Sequence, residues 1–212
     1  MSVLPLVFTS GWASGINAYA VVLLLGVFGA TGLSDDVPQA LQRPEILVTV
    51  GVLFLCEAVA DKIPYVDSVW DSVHTVIRPA AGAWVGALLA GHSGSVSDLT
   101  AAVLGGTTAL ASHTVKAGTR MAVNTSPEPF SNFVVSTAED LGVAGVVTLA
   151  IFHPWAAATV AGVLLCTGLA VLCFLVSRIR RFLRNRARRR EERRTAATAG
   201  PPPGGAPWAD RG

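Results

Sequence analysis

The sequence predicts an all-α fold, a polytopic membrane bundle of about six transmembrane helices. Three observations support this fold class. Hydrophobic residues make up 51% of the 212 residues, and they occur in runs that approach the about 20 residues needed to cross a bilayer. Charged residues make up only 14%, whereas soluble domains carry about 25%. Most of the charges lie at the ends of the apolar runs or in one basic segment near the C-terminus.

The charge is divided unevenly along the chain. Residues 1–177 contain five Lys or Arg and eleven Asp or Glu, whereas residues 178–212 contain eleven Lys or Arg and three Asp or Glu. We therefore predict a transmembrane helical domain at 1–177, an Arg-rich juxtamembrane segment at 178–195 and a tail at 196–212. The Pro and Gly residues of the tail predict disorder. No Lys or Arg precedes the first apolar run, which we interpret as a retained span and not a cleaved signal.

Six spans are predicted in chain order. Their approximate bounds are Trp12–Ala30, Ile46–Asp61, Asp67–Ala90, Leu99–Arg120, Phe133–Phe152 and Trp155–Val176. Pro64 separates the second span from the third, because proline disfavours helix in the residue before it. Asp67 or Ser68 is the expected N-cap of the third span. Gly82 and Gly86 lie four residues apart and predict a close helix contact on that span.

The basic residues predict the topology. Ten arginines lie between Arg178 and Arg194, and short segments rich in Lys or Arg stay in the cytoplasm. With six spans both termini are then cytoplasmic, and the protein is a multi-pass protein of the inner or plasma membrane. The two Pro-containing loops, at Pro64 and at 124–129, are placed on the cytoplasmic side. We expect the basic segment to bind anionic lipids and expect no nucleic-acid partner.

Ionisable residues inside the spans are candidates for a functional site, because a charge within a membrane requires a partner, water or a role. Helical spacing groups several of them on single faces. His113, Lys116 and Arg120 form one stripe on the fourth span, at i, i+3 and i+7. The candidates for ligand binding or ion pairing are Asn17, Glu57, Asp61, Arg78, His113, Lys116, Arg120, Glu139 and Asp140.

Two hairpins carry these charges with the signs exchanged. The second and third spans have two acids before their loop and a base after it, whereas the fourth and fifth have bases before and acids after. The predicted pairs are Glu57 and Asp61 with Lys116 or Arg120, and Arg78 with Glu139 or Asp140. Such pairing offsets the high cost of a buried charge. A polar pocket open to the cytoplasm is expected, lined by Asn17, Asp61, Arg78, Lys116, Arg120, Glu139 and Asp140.

Catalytic and cofactor motifs are missing from the sequence. There is no G-x-S-x-G, no H-E-x-x-H and no Walker lysine, so that we expect neither an enzyme nor a cofactor. Acid and imidazole ligands for a divalent cation exist, but their spacing is not diagnostic and metal binding stays open. These ligands are Glu57, Asp61, His74, Glu139 and Asp140. The cysteines are expected to be buried free thiols; they are Cys56, Cys166 and Cys173.

Five short motifs carry a resemblance to a known family. They are Ser14-Gly15-Ile16-Asn17-Ala18-Tyr19, Ala60-Asp61-Lys62-Ile63-Pro64-Tyr65-Val66-Asp67-Ser68, Ile77-Arg78-Pro79-Ala80-Ala81-Gly82, Asn124-Thr125-Ser126-Pro127-Glu128-Pro129 and Glu139-Asp140. At these motifs the chain resembles a family of bacterial membrane proteins catalogued as a domain of unknown function (DUF, number 4126). The resemblance covers about residues 10–175 and leaves out the basic tail. It implies an integral membrane protein and brings no activity with it.

Three functions are compatible with these observations. The first is a small transporter or channel-like protein for a cation or a zwitterionic solute, whose acidic side chains bind the cation or relay protons. The alternative is a non-catalytic membrane scaffold or lipid-interacting protein whose buried ion pairs are structural. A membrane enzyme acting on a lipid head group is the third. Charge-neutral substitutions separate the first two, because a transporter loses transport while a scaffold loses stability.

Overall fold

The computed structural model describes residues 3–123 and 129–198, and their side chains except at 64–65, 122–123, 129, 131 and 190–198. Six α-helices form this part of the chain: α1 Leu4–Ala30, α2 Pro44–Ala60, α3 Pro64–Ser93, α4 Asp98–Val123, α5 Pro129–Phe152 and α6 Pro154–Thr198. A short 3₁₀ helix at Gln39–Gln42 precedes α2. The described residues contain no strand, and the predicted all-α helical bundle is confirmed. Residues 124–128 of the loop predicted at 124–129, and residues 199–212 of the tail, lie outside the described residues.

Proline determines where most of these helices begin. The helices α2, α3, α5 and α6 each start at a proline, which is favoured at the first helical position because the missing N–H would be unpaired there. Ile63, before Pro64, has the extended backbone (φ −111°, ψ 106°) that a following proline favours. The predicted N-cap at Asp67 or Ser68 is therefore wrong, since α3 starts about one turn earlier. At the other end of α3, Gly94 takes a left-handed conformation with φ 62°.

The central helix of the bundle is α1, which packs against α2, α3, α4 and α5. Its most apolar 18-residue window is 56% buried, the highest share among the long apolar helices of the described chain. The helix begins at Leu4 and not at the predicted Trp12, with Pro5 in the first turn. Its backbone leaves the helical conformation at Asn17, where φ is −149° and ψ is 96°. Two helical halves therefore meet at Asn17 in the middle of the bundle.

Glycines bring three helices into close contact. A Cβ added to Gly82 would lie 2.8 Å from the carbonyl oxygen of Gly105, and one added to Gly86 would lie 2.5 Å from that of Ala101. Both partners are on α4, so that the predicted close contact at Gly82 and Gly86 is confirmed. From α1, a Cβ on Gly11 would lie 2.6 Å from the carbonyl oxygen of Gly105. The backbones of α1, α3 and α4 thus approach one another at Gly105.

In the part of the chain that the structure describes, four helices are long and apolar enough to cross a membrane, which indicates a membrane protein. Their candidate spans are Leu4–Ala30, Val66–Ser93, Asn132–Phe152 and Pro154–Arg189. At 17 residues, α2 is about 26 Å long, a little short of the roughly 30 Å hydrocarbon core. The helix α4 is not among these four helices, and it contains the ionisable side chains of His113, Lys116 and Arg120. The count of six spans stays a prediction.

Apolar side chains cover much of the outer surface. On α2, Val48, Val52, Leu55 and Val59 are each more than half exposed, as expected for a face that contacts lipid. The three cysteines are free but exposed, and the expectation that they are buried is wrong. Each one lies on an outward face, where a small apolar side chain suits lipid as well as it suits a core.

The chain divides into two compact units, residues 1–172 and 173–212. In the second unit, the described residues belong to α6. Seven arginines lie between 178 and 189, and the apolar Ile179, Phe182 and Leu183 are exposed between them. In the first unit, the loop after α1 contacts the end of α3, with His92 Nε2 2.8 Å from the carbonyl oxygen of Asp35. At the opposite end, α2 ends, α3 begins, α4 ends and α5 begins.

Candidate functional site

Nine ionisable side chains meet towards the end of the first unit at which α2 ends and α3 begins. We call them the charged cluster. They come from α2 and its C-cap, α3, α4 and α5. The members are Glu57, Asp61, Asp67, Asp71, Arg78, Lys116, Arg120, Glu139 and Asp140. Glu57 and Arg78 have no exposed surface at all. Charged residues are almost never fully buried unless they are paired, so that the pairing decides what this cluster can do.

The side chain of Arg78 is held by α2, α3 and α4. Its Nη2 donates to Glu57 Oε1 at 2.7 Å, and its Nη1 donates to Asp71 Oδ1 at 2.9 Å. The same Nη1 donates to His113 Nδ1 at 2.8 Å. The predicted pairing of Arg78 with Glu139 or Asp140 is therefore wrong. Asp71 lies two turns earlier on the same helix, and its carboxylate binds the guanidinium that we predicted to bind a carboxylate of α5.

The side chain of Lys116 joins α4 to the end of α2 and to the break in α1. Its Nζ donates to Asp61 Oδ2 at 2.7 Å and to the carbonyl oxygen of Ile16 at 3.0 Å. It also lies 3.8 Å from Glu57 Oε1 and 3.7 Å from Glu139 Oε2. The predicted contact between the acidic face of α2 and the bases of α4 is confirmed.

The guanidinium of Arg120 connects α5 to the corner between α2 and α3. Its Nη2 donates to Glu139 Oε2 at 2.7 Å, and its Nη1 donates to Asn132 Oδ1 at 2.6 Å. Nη1 also donates to the carbonyl oxygen of Asp61 at 3.1 Å, which accepts a second bond from Asn132 Nδ2 at 2.8 Å. Arg120 and Asn132 thereby satisfy a backbone carbonyl at the end of α2, where the helix leaves such groups unpaired.

The break in α1 is built around Asn17. Asn17 Oδ1 accepts from the backbone N–H of Ala20 at 2.9 Å, three residues on, which is the N-cap bond of the second helical half. Asn17 Nδ2 donates to Asp140 Oδ1 at 3.1 Å. The carbonyl oxygen of Ile16 accepts from Lys116. At the break, the carbonyl oxygen of Ile16 is thus satisfied by Lys116 of the charged cluster, and the N–H of Ala20 is satisfied by Asn17.

Two buried histidines hold defined tautomers beside the cluster. Arg78 can only donate, so that His113 Nδ1 is the acceptor and its Nε2 carries the proton, which is donated to Thr75 Oγ1 at 3.1 Å. His74 Nδ1 donates to the carbonyl oxygen of Trp70 at 2.8 Å. In the neutral ring, His74 Nε2 then accepts from the hydroxyl of Tyr19 at 3.0 Å. The two imidazoles therefore carry their protons on different nitrogens.

The charges of the cluster do not balance. Among the described residues of the cluster, six carboxyl groups face three cationic side chains, so that the cluster contains three more acids than bases. Several carboxyl oxygens are also buried without a hydrogen bond from a described residue: Glu57 Oε2, Asp61 Oδ1 and Asp71 Oδ2. Within the described residues, no three His, Cys, Asp or Glu side chains converge as metal ligands would.

All nine side chains predicted from the sequence lie in this region. Seven belong to the charged cluster, and Asn17 and His113 bond to it. The candidate list omitted Asp67, Asp71 and Asn132. Asp71 was detectable, because its position seven residues before Arg78 places both on one helix face. Asn132 gave no signal, since its role depends on where α5 meets the end of α2.

The expected open polar pocket differs from what the structure shows. Asp61, Arg78, Lys116 and Arg120 are each at most 3% exposed, because they contact one another and fill the space between the helices. A cavity of about 140 Å³ reaches the cluster from the side and is lined by Lys116 and Glu139 together with mainly apolar residues.

A family described as "Domain of unknown function (DUF4126)" matches residues 4–173. The chain belongs to this family. No curated protein and no solved structure matches the chain. The DUF4126 match includes every residue of the charged cluster and ends at Cys173, before the arginines of α6. The resemblance inferred from the five motifs is confirmed.

Proposed function

We propose that this DUF4126 protein is a small membrane transporter, in which the charged cluster binds and releases protons during transport of a cationic or zwitterionic solute. The observation that carries this proposal is the excess of six buried or half-buried carboxyl groups over three bases. Uncompensated charge is costly in an apolar medium. The cluster is therefore suited to take up positive charge, as protons or as a cationic group, and to release it again.

The break at Asn17 supports the same proposal. Secondary transporters commonly form their sites at discontinuous helices, where backbone groups and helix ends face the substrate. Here the N-terminus of the second half of α1 carries a partial positive charge, and the capping Asn17 bonds to Asp140. A change in the charge of Asp140 would thus act directly on the break in α1.

A hydrogen-bonded chain beside the cluster holds a buried imidazole next to Asp71. It runs from Asp71 through Arg78 and His113 to Thr75, with bond lengths of 2.9, 2.8 and 3.1 Å. Arg78 has only donors and stays protonated, so that it fixes both partners and passes no proton between them. The oxygen Asp71 Oδ2, which is buried without a hydrogen-bond partner among the described residues, is a place where a proton taken up by the cluster can reside.

Neutralising a carboxyl group of the cluster should abolish transport while leaving the bundle folded. We expect Asp61→Asn and Glu139→Gln in proteoliposomes to lose proton flux and flux of small cations, because each removes an acceptor of positive charge without changing side-chain volume. The flux is measured with a pH dye inside the vesicles under an imposed potential, and thermal shift assays with Na⁺, K⁺ and glycine report binding.

Asp98→Asn is the matched control, since Asp98 is exposed and lies at the start of α4, far from the cluster. It should match the parent in flux and melting temperature. If Asp61→Asn and Glu139→Gln stay folded and also match the parent in every flux and shift, the transport proposal fails.

The scaffold remains a second candidate, and one observation favours it. Each of the three bases pairs with a carboxylate at 2.7 Å, which ties α2, α3, α4 and α5 together. Under this alternative, Asp61→Asn lowers the melting temperature and the parent protein shows no flux above that of empty vesicles. The two measurements therefore distinguish the two candidates.

We further propose that both termini are cytoplasmic, with the arginines of α6 on anionic lipid headgroups. In a variant whose three native cysteines are replaced by alanine, a cysteine at Ser34 or Ser95 should react with a membrane-impermeant maleimide from outside. A cysteine at Ser131 should react only from inside. Labelling of intact spheroplasts and of inverted vesicles measures this, and the reverse pattern would overturn the orientation.

A further inference from the structure

A cavity of about 140 Å³ lies between α1, α4, α5 and α6. Its walls are largely apolar, with Trp12 and Ile16 from α1, Val115 from α4, and Leu164 and Leu165 from α6. Its polar lining includes Lys116 and Glu139. Apolar cavities of about 150 Å³ bind molecules the size of benzene. This cavity therefore has room for a small ligand next to the charged cluster.

Among the ion-paired carboxylates, Glu139 is the one that is accessible. Its side chain is 17% exposed, whereas the other ion-paired side chains of the cluster are at most 7% exposed. Among the described residues, hydrogen bonds reach only one of its carboxyl oxygens, Oε2, which accepts from Arg120. The other oxygen, Oε1, has no hydrogen bond from a described residue and can accept one from a ligand.

The wall formed by α6 is exposed to the outside of the bundle. Among residues 154–172, only Ala157 and Ala161 are buried. Leu164, which lines the cavity, is 47% exposed. An apolar molecule dissolved in the surrounding lipid can therefore approach the cavity along an apolar surface, whereas a hydrated ion would lose its water on that path.

We propose that this cavity is a membrane-facing binding site for a small molecule with an apolar body and a hydrogen-bond donor, and that Glu139 is the carboxyl group that the donor meets. The inference deepens the proposed function, because Glu139 then becomes the group at which the cluster exchanges protons. Trp12 and Leu164 hold the apolar body. Glu139 Oε1 accepts the hydrogen bond.

Diisopropylcarbodiimide is a suitable probe of this site, because it is small, apolar and specific for protonated carboxyl groups. The carboxyl proton moves to a carbodiimide nitrogen while the carboxylate oxygen bonds to the central carbon. The resulting O-acylisourea rearranges to a stable N-acylurea, with no atom lost. Alternatively, the amine of Lys116 displaces diisopropylurea and forms an amide with Glu139. Both products mark Glu139 and are identified by peptide mass spectrometry.

The test is carried out on the full chain in liposomes at mildly acidic pH. We expect Glu139 to be modified and the buried Glu57 and Asp61 to be spared. Glu139→Gln should lose the modification, whereas Asp98→Asn, at the exposed start of α4, should keep it. Modification of Glu57 or Asp61 in preference to Glu139 would overturn the proposal.

Filling the cavity tests whether the carbodiimide reaches Glu139 through this cavity. Leu164→Trp should abolish labelling of Glu139, and the matched Val163→Trp should not, because Val163 is 61% exposed and does not line the cavity. If Leu164→Trp does not fold, Thr119→Phe and its exposed control Thr114→Phe replace the pair from the α4 side. If a folded variant with a filled cavity is labelled at Glu139 as strongly as the parent, the inference is wrong.

Labelling does not require transport, so that the two proposals can fail separately. Protein that is labelled at Glu139 but carries no flux would refute only the transporter. Protein that carries flux but resists labelling at Glu139 would refute only the membrane-facing site.

Discussion

Gly105→Ala is expected to prevent the bundle from assembling. The added Cβ would overlap the backbone of Gly82, and the carbonyl oxygen of Gly105 already lies within 2.8 Å of the position of a Cβ on Gly82 or Gly11. The atoms in the way are backbone atoms of α3, which cannot rotate aside as a side chain would. Overpacking of a core costs about 1–3 kcal/mol even where side chains yield. A backbone collision at the crossing of three helices should reach or exceed the upper end of that range.

The measurement is the unfolding midpoint in mixed micelles as the SDS fraction rises, together with the yield of monodisperse protein. Gly145→Ala on α5 is the control, because no atom lies within 4 Å of its added Cβ. Alanine favours helix over glycine by about 1 kcal/mol, so that the control should be neutral or more stable. A folded Gly105→Ala variant with the parent's midpoint would show that α3 and α4 are able to move apart.

The helical fold was predictable from composition and from local rules. Apolar runs predicted the helices, because this effect acts within a few residues, but the predicted starts missed the prolines at which four helices begin. The pair Gly82 and Gly86 predicted a close contact by its spacing alone. Its partner Gly105 was not predicted, because the position at which α4 crosses α3 depends on how every other helix packs. The central place of α1 was missed for the same reason.

The candidate site was predictable as a set of residues but only partly as a set of pairs. A charge within an apolar run is informative by itself, and this is why all nine candidates meet in the structure. The partner of Lys116 was found, since the end of α2 and the end of α4 lie at the same end of the bundle. The partner of Arg78 was predicted wrongly. The rotation of α3 about its own axis determines whether Arg78 contacts Asp71 on the same helix or Glu139 on α5. The spacing of residues along one helix does not predict that rotation.

Arg78→Met is expected to destabilise the protein strongly. The substitution keeps much of the apolar stem but removes the guanidinium from Glu57 and Asp71, which are 2.7 and 2.9 Å away. Both carboxylates remain buried, and breaking a buried ion pair from one side costs about 3–5 kcal/mol. The SDS midpoint should fall accordingly. Arg43→Met, at an exposed arginine before α2, should leave the midpoint unchanged.

Double variants show which carboxylates Arg78 stabilises. Arg78→Met combined with Glu57→Gln should recover part of the loss, because neutral Gln is less costly to bury than an unpaired carboxylate. Directly coupled residues show interaction energies of about 0.5–3 kcal/mol in such cycles. Arg78→Met with Glu139→Gln should show a smaller coupling, since Glu139 Oε2 bonds to Arg120. A stronger coupling of Arg78 to Glu139 than to Glu57 would contradict the arrangement of the charged cluster, because the guanidinium of Arg78 would then have to reach α5.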